Sequence, residues 1–444
     1  MSTRQAEQRP IFGLALAGLR AHLGAMHAPS TPSPQSFRLG EREFIAMMAF
    51  CQALQALAID AMLPALGLIA HDLRAPDPND RQLIVGLFLI GAGLGSLLPG
   101  TFADRFGRRP VLLFCLGCYV AMAFAGALVT DFETLLALRL VQALGSGGLA
   151  VLPLAIIRDR FEGDRMARTQ SLIAVIFLVV PMLAPSIGQA VLLVASWRWI
   201  FALMGLLGVI VTVWVWLRLP ETLHPEFRQP IRPGVIAGNM RTALATRESI
   251  GYVLGSALIM GALWGYIQSS QQLVAEHFGA GEAFPLVFGG MALFMAVANF
   301  ANSRIVERFG ARRVSHTALF VYLAVGVVHV GLAWGDETLW QFVPAMTAAM
   351  CLMGFVGANF QSIALQPFAR TAGAASGVQA FVRMVLASVL GAVLGQHYDG
   401  TARPLAYAIL GAGVFSLLLV LYSERGRLFR RLTPPGAARP VALD

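Results

Sequence analysis

Lysine is absent from the chain: all 33 basic residues are arginine. Charge of either sign is scarce, at 13% of 444 residues against about 25% in soluble domains. With 57% hydrophobic residues and a mean hydropathy of +0.68, this excludes an ordinary soluble enzyme and a disordered chain. Cysteine is limited to Cys51, Cys115, Cys118 and Cys351, all inside apolar runs. Cys115 and Cys118 form a C-x-x-C, but no histidine or second cysteine pair accompanies it, so no metal site and no cofactor are expected. A phosphate-binding glycine loop of the P-loop type is missing, which excludes ATP as the driving force. A net charge of +9 is compatible with nucleic-acid binding, but almost all the arginines fall in short gaps between apolar runs. They read as signals of membrane topology, and no nucleic-acid partner is expected.

What the chain does have is apolar runs about 20 residues long, the length that crosses a bilayer as a helix. Twelve are expected: 44–70, 83–103, 110–130, 133–157, 168–194, 197–219, 250–275, 283–303, 313–334, 339–366, 372–396 and 403–424. Backbone polar groups in lipid must be bonded within the segment, so the spans are helices. If both termini are on the same inner side, the inner segments carry 27 arginines and 13 acids, the outer ones 4 and 10. That bias places both termini on the cytoplasmic side of the membrane. Residues 1–43 form a cytoplasmic extension with a short amphipathic piece, followed by a linker marked by Pro29, Pro32 and Pro34. The sequence past 424 is a cytoplasmic tail.

The longest internal gap, 220–249, separates six spans (44–219) from six more (250–424). The halves repeat. Asp104-Arg105-Phe106-Gly107-Arg108-Arg109 follows span 2, and Glu307-Arg308-Phe309-Gly310-Ala311-Arg312 follows span 8, at an offset of 203 residues. Two parallel six-helix bundles related by an axis along the membrane normal make a transporter plan, with the substrate cavity at the midplane between them.

The segment Gly100-Thr101-Phe102-Ala103-Asp104-Arg105-Phe106-Gly107-Arg108-Arg109 resembles the G-x-L-a-D-r-x-G-r-[rk] signature of the major facilitator superfamily, departing from it only at Phe102. Four further segments resemble its Bcr/CflA-type drug:proton antiporters. They are Asp60-Ala61-Met62-Leu63-Pro64-Ala65-Leu66, Arg139-x-x-Gln142-Ala143-Leu144-Gly145, Ala184-Pro185-Ser186-Ile187-Gly188, and the pair of motifs around Trp197 and Leu219-Pro220-Glu221. Gln189 stands where the antiporter motif on helix 5 has a second glycine. The resemblance implies an all-α integral membrane protein of twelve helices in two pseudo-symmetric bundles. It implies proton-coupled efflux of small amphipathic molecules or drugs by alternating access, with a small molecule, protons and the bilayer as its only partners, and a monomer. A proton symporter for a specific metabolite is the alternative. A membrane enzyme or receptor is more distant, because the spans hold no cluster of catalytic residue types.

Asp60 is the one acid inside a span, where charge is costly and functional by default. Burial and a neighbouring cation push a carboxyl in opposite directions, which suits a group that must take and release a proton. Arg139 on helix 4 is its expected partner; the resemblance implies a functional role for both. Arg383 lies mid-span on helix 11, as a residue that binds an anionic substrate group or counters Asp60, as a structural pair, or as a side chain that snorkels to the interface. Gln55, Gln142, Trp264, Tyr266, Gln268, Asn299, Asn359 and Gln379 are expected around the substrate cavity. Gly100, Asp104, Arg105, Gly107, Arg108 and Arg109, with Glu307, Arg308, Gly310 and Arg312, form the conformational motif: charges at helix ends that pair in one state and release in the other. Pro185 and Gly188 bend helix 5 and let it pack closely.

Overall fold

The structure is a computed structural model that describes residues 39–430, except 162, most of 224–244 and 369–371. The amphipathic piece expected before residue 39, most of the 220–249 linker, the tail past 430 and the side chain of Glu307 lie outside the described residues. The described chain is helical, and eleven of its helices are long and apolar enough to cross a membrane. A twelfth, Gly163–Val194, has 32 residues, of which Val179–Val194 is an apolar described stretch. In chain order they are α1 (Glu41–Asp72), α2 (Pro78–Phe106), α3 (Arg108–Leu128), α4 (Phe132–Arg160), α5 (Gly163–Val194) and α6 (Arg198–Arg218). Then come α7 (Arg247–His277), α8 (Phe284–Phe309), α9 (Ala311–Ala333), α10 (Leu339–Phe368), α11 (Ala372–Gln396) and α12 (Arg403–Ser423).

Two helices are broken where a continuous span is expected. Regular α-helix in α1 stops at Asp60, and the chain passes through a 3-10 turn, Leu63–Ala65, before resuming at Leu66–Asp72. Pro64 is the cause: it has no N–H to give the carbonyl of Asp60, and its ring crowds that carbonyl. Helix α2 is interrupted at Ser96, three residues before Pro99, and Ser96 turns its hydroxyl back onto Gly93 O at 2.7 Å.

Small residues set the helix contacts. A side chain at Gly95 or Gly147 would collide with the backbone of the facing helix, so α2 and α4 meet backbone to backbone. The internal repeat is visible in the backbone. Gly107 joins α2 to α3 at φ 109°, ψ 153°, and Gly310 joins α8 to α9 at φ 84°, ψ 148°. Positive φ of this kind favours glycine.

The described polar contacts between α1–α6 and α7–α12 gather at the Arg-poor end. Arg81 makes a bidentate pair with Glu276 at 2.5 and 2.8 Å. Asn79 donates to Gln396 O and Tyr398 O at 3.2 and 2.9 Å, and Gln396 donates back to Asn79 O at 2.9 Å. The amide of Gln272 lies against those of Gln82 and Asn79. Below this clasp, α2 runs along α11, with Gly86 against Ala392 and Gly93 against Val385.

Candidate transport site

Asp60 is 5% exposed, at the last regular residue before the α1 break. It makes no hydrogen bond or ion pair among the described residues. Helix α5 packs on the break: the Cα of Gly188 lies so close to Ala61 O that any side chain there would collide with it. The Pro185–Gly188 motif therefore forms the wall behind the turn that follows Asp60.

Arg139 is fully buried, but it does not pair with Asp60. Its guanidinium donates to Ala58 O at 2.8 Å, to Ile84 O at 3.2 Å and to Gln142 Oε1 at 2.8 Å, and lies 4.1 Å from the ring centroid of Phe88. The expected ion pair is thus replaced by carbonyl ligation. The physical reason is that a fully buried guanidinium must place its donors on whatever acceptors face it, here a carbonyl of α1 near its break, a carbonyl of α2 and the Gln142 amide. An arginine with five donors satisfies several acceptors from two helices at once. Tyr119 adds a similar tie, donating to Leu54 O at 2.9 Å.

Several residues expected around a cavity are buried in contacts between helices. Gln142 accepts from Arg139 of its own helix and turns its amide nitrogen to Tyr119 O of α3; Tyr266 donates to Met291 Sδ at 3.1 Å; Asn359 donates to Asn302 Oδ1 at 2.9 Å; Gln379 donates to Ser249 Oγ and Ala364 O. Gln55 is buried, Trp264 and Asn299 are half-buried, and Asn299 lies against Gly354. Gln268 is buried at the contact of α7 with Gly86 of α2 and Gly391 of α11, and neither its amide oxygen nor its nitrogen has a partner among the described residues. It marks the contact between the halves, just below the clasp.

Arg383 is half-buried and has no hydrogen bond or ion pair among the described residues. It is not a counter-charge to Asp60. Arg139 puts Ala58 and Ile84 at one level, and the α2–α11 contacts put Ile84 near residue 394. Arg383 is then some ten residues closer to the Arg-rich end, a rise of ~15 Å.

At the Arg-rich end each half keeps its own network. Arg108 is paired with Asp104 at 2.6 Å and with Asp159 at the end of α4 at 2.9 Å. Glu221, just past α6, accepts from the backbone N–H of Arg108 and Arg109 at 2.8 and 3.2 Å, capping the first turn of α3. In the second half Glu424, just past α12, accepts from Arg312 Nε and Tyr252 Oη, both at 2.7 Å. Arg105 is exposed and lies over Phe106; Arg308 lies over Phe309; Gly100 is half-buried. Glu221 and Glu424 are 203 residues apart, the same offset as Gly107 and Gly310. Sequence inspection limited to the loop motif misses these acids and Asp159, although the offset itself points to the first two.

The family model for the Major Facilitator Superfamily matches residues 48–392. The chain belongs to the Major Facilitator Superfamily. Among curated members, it is 27% identical over 379 residues to a protein of Haemophilus influenzae named bicyclomycin resistance protein homolog, covering 84% of this chain and 94% of that one. It is 27% identical over 388 residues to multidrug resistance protein MdtL of Klebsiella pneumoniae, covering 86% and 93%. Among solved structures, the fold matches a bacterial homolog of the human lysosomal transporter Spinster in an inward-facing, occupied conformation. That match has a TM-score of 0.67 at 15% identity over 89% of this chain and 97% of that one.

Proposed function

We propose that this superfamily member expels small amphipathic molecules, drugs among them, across the bacterial inner membrane in exchange for protons. The observation that carries the proton step is Asp60, a buried carboxyl with no partner among the described residues, at a helix break walled by Gly188. A carboxyl free of a fixed ion pair can take up a proton when its compartment opens and give it back when the other side opens. The printed names of the Haemophilus and Klebsiella relatives, which speak of bicyclomycin and multidrug resistance, support the choice of drugs.

In this reading the Arg-rich end and both termini are cytoplasmic, and the clasp of Asn79, Arg81, Gln82, Gln272, Glu276 and Gln396 closes the outer face. The networks of Asp104, Arg108 and Asp159 and of Arg312 and Glu424 hold the helix ends within each half as the halves rock. Arg139 keeps the α1 break in shape, so its part in proton coupling is positional. Arg383, without a partner among the described residues and nearer the cytoplasm, meets polar or negative groups on substrates that come from that side.

The test is transport into inverted membrane vesicles with an imposed pH gradient. Uptake of a fluorescent amphipathic cation that collapses with a protonophore supports antiport. Uptake that persists without any gradient, or that needs the gradient reversed, rejects it.

A further inference from the structure

We propose that a groove on the outer flank of the second half is a binding site for one anionic phospholipid. The groove has a volume of about 690 Å³, within the range of small-molecule sites. Ile305 and Phe309 of α8, Val314 and Val321 of α9, and Leu352 and Phe355 of α10 line it. All three helices belong to α7–α12, so the groove is separate from the contact between the halves. It lies in the part of the spans next to the Arg-rich end, where a bilayer offers acyl chains to an apolar trough.

The end of the groove is built from chain that has left the membrane. Phe429 closes it and is held in place by both of its backbone polar groups. Its N–H donates to His316 Nδ1 at 3.1 Å, and its carbonyl accepts from Arg313 Nε at 3.2 Å. Its ring stacks on Phe320 at 6.0 Å and meets His316 edge-on at 5.6 Å. The residue sits at φ 61°, a conformation that a bulky side chain adopts only when its surroundings hold it there. Because His316 accepts at Nδ1, its Nε2 carries the proton and donates to Tyr252 Oη at 3.1 Å, which in turn donates to Glu424. The wall is therefore tied to the same acid that holds Arg312.

Charge decides the occupant. Arg313 lines the groove at its mouth, and with Nε used on Phe429, its two terminal nitrogens have no described partner. Arg425, Arg427 and Arg430 are exposed beside it, and Glu424, the one acid from 424 to 430, is occupied by Arg312 and Tyr252. An apolar trough that ends in unneutralised guanidinium groups at the membrane boundary fits an acyl chain below a phosphate diester. The chain lies among Ile305, Phe309 and Phe355, and the phosphate takes the two free nitrogens of Arg313.

The experiment uses the full chain, purified in detergent, with phosphatidylglycerol and phosphatidylcholine as probes. Retained lipid is read by native mass spectrometry, and the shift in thermal unfolding on lipid addition is read in parallel. Two variants separate the contributions: Arg313→Gln removes the phosphate contact, and Thr317→Trp fills the groove from an exposed lining position without touching charge. The expected result is one phosphatidylglycerol retained by the native chain and a rise in its unfolding temperature that phosphatidylcholine does not produce. Both effects should be lost in either variant. Equal retention of the two lipids, or a native-like phosphatidylglycerol effect in Thr317→Trp, overturns the site. If Arg313→Gln does not fold, Thr317→Trp alone decides. Transport is not part of the readout, so the result stands whatever the transported molecule is.

Discussion

At Asp60 a single atom change separates chemistry from shape. Asp60→Asn keeps the size of the side chain and its place at the break but cannot titrate. Gradient-driven uptake into inverted vesicles should fall to the level of vesicles without the protein, while the variant is recovered from the membrane in normal amounts. Full gradient-driven transport by Asp60→Asn would falsify the proton assignment. Arg139→Ala should behave differently. It strips donors from Ala58 O and Ile84 O, and each buried acceptor left unpaired costs roughly 1–3 kcal/mol. The expected outcome is loss of folded protein, seen as a lower unfolding temperature in detergent. A stable Arg139→Ala that only shifts the pH optimum would instead restore the direct partnership with Asp60. The two residues mark the limit of what the sequence makes legible. A lone acid and a buried arginine stand out in apolar spans, but the arginine takes backbone carbonyls of α1 and α2, and a list of side chains does not count those. Arg383 was legible as an anomaly, and only the α2–α11 contacts show how far it lies from Asp60.

Among elements, the charged loops between α2 and α3 and between α8 and α9 can be tested together. Glu221→Gln weakens the cap on Arg108 and Arg109, and Asp104→Asn removes one of the two carboxylates on Arg108. Both should slow turnover while substrate binding, measured by fluorescence quenching, stays near the native value. Loss of binding in step with protein amount would make the loop a folding anchor. The α9–α10 turn offers a pH signature. Glu337 is buried 3.6 Å from His329, and burial raises its carboxyl from 4.5 to about 7. Between those values the folded chain holds more protons than the unfolded one, so stability falls as pH rises through the window. The unfolding temperature of the native chain should drop from pH 5 toward pH 7, more steeply than that of Glu337→Gln. Helix positions were readable from apolar runs, and the 203-residue repeat gave the equivalence of Gly107 and Gly310. The breaks at Asp60 and Ser96 were not read as breaks, because Pro64 and Pro99 lie inside runs whose length alone satisfies a span.

Across the whole molecule, topology and conformational balance are open to direct measurement. Cysteine introduced at Pro76, exposed in the α1–α2 turn, should react with an impermeant thiol reagent in intact cells. Cysteine at Asn239 should react only after lysis, and the reverse pattern inverts the orientation. The clasp biases the balance between states. Arg81→Gln should shift the halves toward opening at the Arg-poor end, by a modest amount since Glu276 is half-exposed. A pair of spin labels across α2 and α7 should report a broader, longer distance distribution than in the native chain.

The clasp also bears on how the protein is made. Its bonds join residues 190 to 319 positions apart, and the acceptor at Tyr398 lies beyond α11. None of it can close before α7 is made, and the last bonds, to Gln396 and Tyr398, wait for almost the entire chain. Until Glu276 emerges, Arg81, buried in the finished protein, must wait in water at the membrane surface, and the first six helices must hold together by their own glycine contacts. A chain truncated after α6 would therefore insert with its outer rim unpaired, a feature by which a membrane protease could tell an unfinished copy from a complete one.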